Sequence, residues 1–147
     1  APVPGLDLRP MEPADATQIR ALDTHAYGAA RDDTMAALLH LSDGMVVESG
    51  DEIRGFALRR RFGRGWVIGP LVAETESMAM MLAAPLIQRS QGDFVRLDTP
   101  AECEEFGAFL SAAGMGVHDT VTEMYLGNQR RSLSGPRMFG LAAHSLG

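Results

Sequence analysis

A phenol and a carboxylate lie close together near the end of the chain, in the stretch TEMYLG at residues 122–127. A phenol such as Tyr125 can donate a proton as a general acid, and Glu123 or His118 can accept a proton as a general base. We therefore take Tyr125 and Glu123 as candidate catalytic residues. The alternative is a packing tyrosine with its hydroxyl at the surface, on a strand whose polar side chains alternate toward solvent.

A second candidate site is the turn that follows the apolar run at residues 66–72, where the sequence reads AETESM. A turn that leads from a strand into a helix offers unpaired N–H groups and partial positive charge to an anion such as phosphate. This turn carries Glu74 and Glu76, each of which opposes a bound phosphate by about 1 kcal/mol when solvated. Thr75 or Ser77 can also cap the helix. The turn therefore has the right position for an anion but unfavourable charges.

Several other chemistries are excluded by composition. All 13 basic residues are arginine, so that lysine nucleophiles and Schiff bases are absent. The single cysteine, Cys103, allows neither an intramolecular disulfide nor a cysteine-based zinc cage, which indicates a reducing compartment. The four histidines show neither an i,i+4 pair nor a carboxylate partner at ligand spacing, and we expect no metal site. The sequence contains no P-loop and no serine nucleophile elbow.

The composition predicts one soluble folded domain. The 147 residues are 46% hydrophobic and 22% charged, which is ordinary for a globular protein with a sizeable core. The formal charge of −6 argues against a general nucleic-acid binder, because a phosphate backbone requires a cationic face. No apolar stretch is long enough to span a bilayer and no signal-like segment opens the chain. We therefore expect no membrane partner and a cytoplasmic location.

The first half of the chain predicts a strand, two helices and the start of a meander. A short strand in LDLRPM precedes a helix that starts near Pro13 and stops at Gly28. A second helix covers roughly residues 32–41. The segments MVVES, EIRGFALRRRF and GWVIGPLV then predict three antiparallel strands, with a tight turn at Gly50-Asp51.

Two prolines mark the elements that follow. Pro70 cannot donate to a ladder, and we expect it at a bulge or at a point where pairing stops. Pro85 should kink the next helix or end it early. DFVRLDT predicts a strand, residues 103–114 a helix, and GVHDTVTEMYL a late strand, while the apolar tail RMFGLAAHSLG should dock on the body. The order β-α-α-β-β-β-α-β-α-β indicates an α+β fold with a mixed sheet.

Several short motifs, in this order and spacing, make the chain similar to the GNAT N-acetyltransferase superfamily. The resemblance is closest to the divergent C-terminal domain of tandem GNAT proteins. The motifs are RPM near the start, LDTHAYGAAR at 22–31, GFALRR at 55–60, IGPLVAE at 68–74, LDTP at 97–100, TEMYLG at 122–127 and MFGLAAHSLG at the end. The resemblance implies one GNAT-like domain over residues 1–147, with 1–5 as a tail or linker and 128–147 as a C-terminal extension. Its sheet should be twisted and mainly antiparallel, with helices on both faces.

The resemblance also implies acetyl-CoA as a co-substrate and a place for it. In the superfamily the fourth strand carries a bulge and diverges from the fifth, the pantetheine arm pairs with the fourth strand, and the pyrophosphate rests on the following turn. Carried onto this chain, the residues in contact with the coenzyme would be Leu71, Val72, Ala73, Thr75, Ser77 and Met78. The usual Q/R-x-x-G-x-G/A pattern of that turn is absent here.

Three further residues are candidates for the acceptor substrate. Asp23 and Arg31 match a D…G…R pattern of the related domains, in a region that shapes the acceptor pocket of the superfamily. Arg31 could equally form a structural ion pair with a nearby aspartate. Asp98 ends its strand beside the expected opening and either positions substrate or caps the adjacent turn. The arginines at 59–64 form a basic hairpin tip, which either reaches a nucleotide 3′-phosphate or is solvated.

Two hypotheses follow for the function. The first is acyl-CoA-dependent N-acetylation of a small amine, and the acidic chain mildly favours a cationic acceptor. The second is a non-catalytic GNAT-like module, either half of a tandem protein or a partner in a homodimer. The acidic turn and the proline-rich start of the chain motivate the second hypothesis.

Overall fold

The structure is a computed structural model that describes residues 5–63, 65–97, 104–113 and 137–140. Its strands are β1 (Asp7–Pro10), β2 (Asp43–Ser49), β3 (Glu52–Phe62), β4 (Gly65–Ala73), β5 (Val95–Arg96) and β6 (Arg137–Gly140). Its helices are α1 (Ala16–Tyr27), α2 (Asp32–Leu41), α3 (Glu76–Arg89) and α4 (Glu104–Ala112), and a short 3-10 helix (Pro13–Asp15) precedes α1. No helix within these described ranges is long and apolar enough to cross a membrane.

The strands form one sheet in the order β1-β2-β3-β4-β5, with β6 also beside β4. All described pairs are antiparallel except β4 with β5, which is parallel. A strand has two edges, and β3 occupies one edge of β4. Strands β5 and β6 must therefore share the other edge. The prediction of an α+β fold with a mainly antiparallel mixed sheet is confirmed.

Helices cover both faces of the sheet because β3 and β4 are apolar on both sides. On one face, Ala57, Ile68 and Leu71 pack with buried residues of α3 and α4. On the other face, Phe56 and Leu58 pack with α1 and α2. This alternation along β3 is the period of two that a strand imposes on its side chains.

The local turn signals are confirmed. Gly28 ends α1 with a φ of 93°, a left-handed conformation that glycine adopts without steric cost. Helix α2 has the predicted bounds, and the β2–β3 hairpin turns at Gly50-Asp51, where Gly50 has a φ of 63°.

Arg9 ties β1 to β2 and to the 3-10 helix. Its guanidinium donates two hydrogen bonds of 2.9 Å to the Asp15 carboxylate and reaches Glu48 Oε1 at 2.8 Å. Asp15 is buried and also accepts the Glu12 N–H at 2.7 Å. The hydrogen bonds from Arg9 lower the pKa of Asp15, against the opposing effect of burial.

Of the two effects predicted for Pro85, an early end of helix α3 is wrong, and a kink stays a prediction. The helix runs from Glu76 to Arg89 with Pro85 inside it. A proline within a helix costs about 3 kcal/mol. Burying a leucine side chain contributes about 1.5–3 kcal/mol, and Leu82 and Leu86 on the flanking turns are both fully buried. Packing against the sheet therefore outweighs the local cost.

The end of the chain was only partly predicted. Strand β5 is two residues long, shorter than the DFVRLDT segment. The late strand predicted in GVHDTVTEMYL lies outside the described residues. Of the apolar tail that was predicted to dock on the body, residues 137–140 are described, and they form a strand of the sheet with Met138 buried.

Candidate functional site

A bulge interrupts the pairing of β3 and β4 at Gly69-Pro70. Ala57 pairs with Leu71 and Arg59 pairs with Ile68, so that two residues of β4 stand opposite Leu58 alone. The Gly69-Pro70 peptide bond is cis. The expectation that Pro70 lies at a bulge is confirmed. A bulge bends its strand and ends regular pairing locally.

On the far edge of β4, the described strands leave the bulge unpaired. Among the described residues, β5 pairs with Trp66 and Val67, and β6 pairs with residues 71–73. Between them, no strand in the described part of the chain pairs with residues 68–70 on this edge. Four residue steps separate Val67 from Leu71, about 13 Å of extended chain. We call this stretch of edge, residues 68–70, the β4 gap.

Beyond the gap, β6 holds the part of β4 where the coenzyme arm was expected. Leu71 is in register with Gly140, Val72 with Met138, and Ala73 with Arg137. Leu71 and Val72 are also paired on their other edge with β3. No described strand therefore pairs with residues 68–70 on this edge, and residues 71–73 are bonded to the chain's own strand; the opening of the sheet for a coenzyme stays a prediction.

The acidic turn has internal partners for both of its carboxylates. Arg54 donates to the two oxygens of Glu74 at 3.0 and 3.1 Å, and this contact raises the pKa of Arg54. Glu76 Oε1 accepts the Phe106 N–H at 3.0 Å, one of the unpaired donors at the start of α4. An anion at this turn would therefore meet a Glu74 carboxylate that Arg54 partly neutralises, whereas the partner of Glu76 is an uncharged N–H group.

Thr75 caps α3, and it is one of the two residues, with Ser77, that were predicted to do so. Its Oγ1 accepts the Met78 N–H at 3.1 Å, and its carbonyl accepts the Ala79 N–H. Met78 has its side chain in the core, whereas Ser77 is exposed. Within the described part of the chain, the Glu76 and Ser77 N–H groups at the start of α3 have no hydrogen-bond acceptor. These two groups are the ones left for a ligand.

Sequence reasoning missed Arg54. Extending the β3–β4 register from Phe56 and Val72 places Glu74 opposite Arg54. Without the extra residue of the bulge, Ala73 would stand there and Glu74 would point to the other face. The signal was available in the predicted hairpin together with the predicted bulge at Pro70.

The arginines of the β3–β4 hairpin do not form the uniform solvated tip that we expected. Arg59 is only 7% exposed, makes a two-pronged ion pair with Asp43 and donates to Ser90 Oγ at 2.9 Å. It also lies over the Trp66 ring, with 3.9 Å to the ring centroid. Arg60 donates to the Gly69 carbonyl at the bulge, and burial lowers the pKa of Arg60. Arg59 is thus structural, and Arg60 lies at the β4 gap.

Asp23 and Arg31 contact each other. Arg31 donates through Nε and Nη2 to the two oxygens of Asp23, both at 2.8 Å, and lies 4.0 Å from the centroid of the Tyr27 ring. Asp23 is fully buried. The alternative of a structural ion pair is confirmed, and a role in substrate binding stays a prediction.

The remaining predicted site residues, Tyr125, Glu123 and Asp98, lie outside the described residues. In the part of the chain that is described, no three histidine, cysteine, aspartate or glutamate residues are grouped so as to hold a metal ion.

A protein-family model described as an acetyltransferase (GNAT) domain matches residues 19–140. The match runs from Ile19, within α1, to the end of β6, and includes the β4 gap and the acidic turn. No curated protein sequence matches the chain.

Solved structures with the same fold include several acetyltransferases. A Pyrococcus horikoshii protein assigned as an acetyltransferase superposes with a TM-score of 0.63 at 14% identity, over 76% of this chain and 44% of its own. This chain therefore spans less than half of that protein. A Desulfovibrio desulfuricans protein assigned to the GNAT family superposes with a TM-score of 0.57 at 15% identity, over 92% of this chain and 98% of its own. An aminoglycoside acetyltransferase from an uncultured soil sample superposes with a TM-score of 0.53 at 19% identity, over 82% of this chain and 97% of its own.

Proposed function

Because this chain belongs to the acetyltransferase (GNAT) domain family, we propose that it transfers an acetyl group from acetyl-CoA to the nitrogen of a small amine. The observation that carries this proposal is the β4 gap, which interrupts the sheet at the bulge and lies a few residues before the start of α3. A gap in a ladder leaves backbone groups for a ligand to pair with, and here these groups exclude the Gly69 carbonyl, which accepts from Arg60, and Pro70, which has no N–H.

The gap and the start of α3 together suit the shape of acetyl-CoA. Its pantetheine arm carries amides that can pair with backbone at the gap, and its pyrophosphate suits the N–H groups at the start of a helix. Glu74 opposes that pyrophosphate less than a free carboxylate would, because Arg54 is bonded to both of its oxygens. The acidic turn therefore weakens the coenzyme site without excluding it.

The reaction needs one proton donor and one proton acceptor. The amine nitrogen attacks the thioester carbonyl, a C–N bond forms, and the C–S bond breaks. We assign Tyr125 to protonate the leaving thiolate and Glu123 to accept the proton that the amine loses. Asp98 is assigned to the acceptor side, where a carboxylate would favour a cationic amine.

The acceptor class follows from charge. The chain has a formal charge of −6, which favours cations over anions near its surface. One structural relative is an aminoglycoside acetyltransferase, and aminoglycosides are polycationic amines. We therefore place the acceptor among small polycationic amines, such as polyamines or amino sugars.

Calorimetric titration with acetyl-CoA tests the proposal, followed by an assay of free thiol release with a panel of polycationic and neutral amines. We expect saturable binding and thiol release that depends on the amine. Tyr125→Phe should keep the coenzyme affinity and reduce kcat by about 10²-fold or more. The matched control is Tyr27→Phe, a change of the other tyrosine. The absence of binding at millimolar acetyl-CoA contradicts the proposal.

A second candidate is favoured by a different observation, the occupation of residues 71–73 by β6. If β6 never leaves this edge, the domain serves as a non-catalytic half of a larger acetyltransferase. The match to only 44% of the P. horikoshii chain fits that arrangement. The titration separates the two candidates, because a non-catalytic half has no saturable coenzyme site of its own.

A further inference from the structure

We infer that β6 and the coenzyme arm compete for the same edge of β4, so that acetyl-CoA binds by displacing the chain's own strand. This inference rests on the proposed function. An extended ligand with amide groups that enters at the β4 gap and continues toward α3 needs the backbone groups of residues 71–73. Those groups are paired with residues 137–140. Two partners cannot pair with one edge at once.

Strand β6 should be displaced from β4 at a lower cost than β3, the neighbour on the opposite edge. It has four residues, whereas β3 has eleven. Its register with β4 shifts between Leu71 and Val72, so that its short ladder is irregular. Short, irregular edge pairing opens more readily than a long central ladder.

Met138 is the contact that anchors β6. It is 5% exposed and belongs to the apolar cluster that includes Ile19 of α1 and Phe56 of β3. It stands opposite Val72 in the register. Removal of this side chain should weaken the hold of β6 on the sheet and leave the β4 backbone unchanged.

A reversible covalent lock tests the competition. Val72 and Met138 are antiparallel register partners, whose Cα atoms are typically about 4.5–5.5 Å apart, within the range for a disulfide. In a Cys103→Ser background, we would introduce Val72→Cys with Met138→Cys and titrate acetyl-CoA into the oxidised and reduced forms. We expect the oxidised form to bind at least tenfold more weakly than the reduced form.

The matched control is Met45→Cys with Ala57→Cys, a register pair between β2 and β3 away from this edge. Its coenzyme affinity should not depend on oxidation. Thiol titration confirms that each disulfide has formed. Equal coenzyme affinity of the oxidised and reduced Val72–Met138 pair would overturn the competition and leave the proposed function standing.

A second variant tests the same competition without a disulfide. Met138→Ala should lower the Kd for acetyl-CoA at least threefold, with Met80→Ala as the control for loss of a partly buried methionine on α3. Acetyl-CoA should also speed amide hydrogen exchange at residues 137–140, whereas simple ligand binding slows exchange. An unchanged or raised Kd, or added protection of these amides, rejects the competition. If no form binds acetyl-CoA, the competition and the proposed function fail together.

Discussion

At the scale of single residues, the Asp23–Arg31 pair allows a direct test of a structural role. Arg31→Met would leave the fully buried Asp23 carboxylate without its two hydrogen bonds. Stranding one partner of a buried ion pair costs about 3–5 kcal/mol. We expect a loss of that size in the free energy of unfolding, measured by urea denaturation with circular dichroism.

The control is the double change Asp23→Leu with Arg31→Met, which removes both charges and should recover most of the lost stability. A role in substrate binding predicts another result: Arg31→Met would unfold at the same urea concentration as the wild type, and only its acetyl transfer activity would be lost.

Asp15 gives a prediction about pH. Its pKa lies below the ordinary 3.8 because Arg9 donates hydrogen bonds to the ionised form. A lowered pKa in the folded state stabilises the fold above pH 3.8, and this stabilisation is lost as the pH falls below 3.8 through the folded-state pKa. Asp15→Asn should therefore cost about 1–3 kcal/mol at pH 7 and progressively less below pH 3.8.

Urea denaturation between pH 7 and pH 2.5 measures the difference, with the exposed Asp7→Asn on β1 as the control. A stability difference for Asp15→Asn that stayed constant across this range would mean that ionisation of Asp15 does not contribute.

At the scale of elements, the sequence was informative wherever the signal is local. The left-handed glycines Gly28 and Gly50 correctly placed the end of α1 and the β2–β3 turn, because few other residues adopt that backbone conformation. Pro70 correctly placed the bulge, because a missing N–H cannot be hidden inside a ladder. The β4 gap could therefore be predicted in outline.

The sequence was uninformative wherever two distant segments meet. Strand β6 follows β4 by more than 60 residues, and nothing in MFG indicates which edge it joins. The Glu76 contact to the Phe106 N–H likewise joins α3 to α4 across 30 positions. Pairing of this kind depends on burial in three dimensions, which period and propensity do not encode. For this reason the pairing of β6 with residues 71–73 of β4 was not predicted.

Helix α3 offers a prediction about Pro85. The proline lies inside the helix, where its ring lacks an N–H and crowds the preceding turn. Pro85→Ala should restore one hydrogen bond and raise the free energy of unfolding by about 1–3 kcal/mol. Ala84→Gly, at the exposed neighbouring position, is the control and should lower it by about 1 kcal/mol. A loss of stability in Pro85→Ala would show that α3 needs the bend of a proline to pack on the sheet.

At the scale of the whole molecule, the formal charge of −6 should make the two proposed substrates, acetyl-CoA and a polycationic amine, respond oppositely to salt. The Debye length falls from about 30 Å at 0.01 M to about 8 Å at 0.15 M. A polycationic acceptor is attracted to an acidic surface, and screening removes that attraction. We expect its kcat/KM to fall about three- to tenfold over this range.

The coenzyme provides the internal control, because it is an anion and the same acidic surface repels it. Its KM should stay level or fall as salt is added, in the same protein and the same assay. A monoamine of similar size should lose less kcat/KM than the polyamine, because fewer charges are screened. Since a general effect of salt on folding or turnover would move all substrates together, a parallel loss for polyamine, monoamine and coenzyme would contradict electrostatic selection of the acceptor. If added salt instead weakens turnover of the polyamine but not use of the coenzyme, the acidic composition contributes to the selection of a cationic substrate.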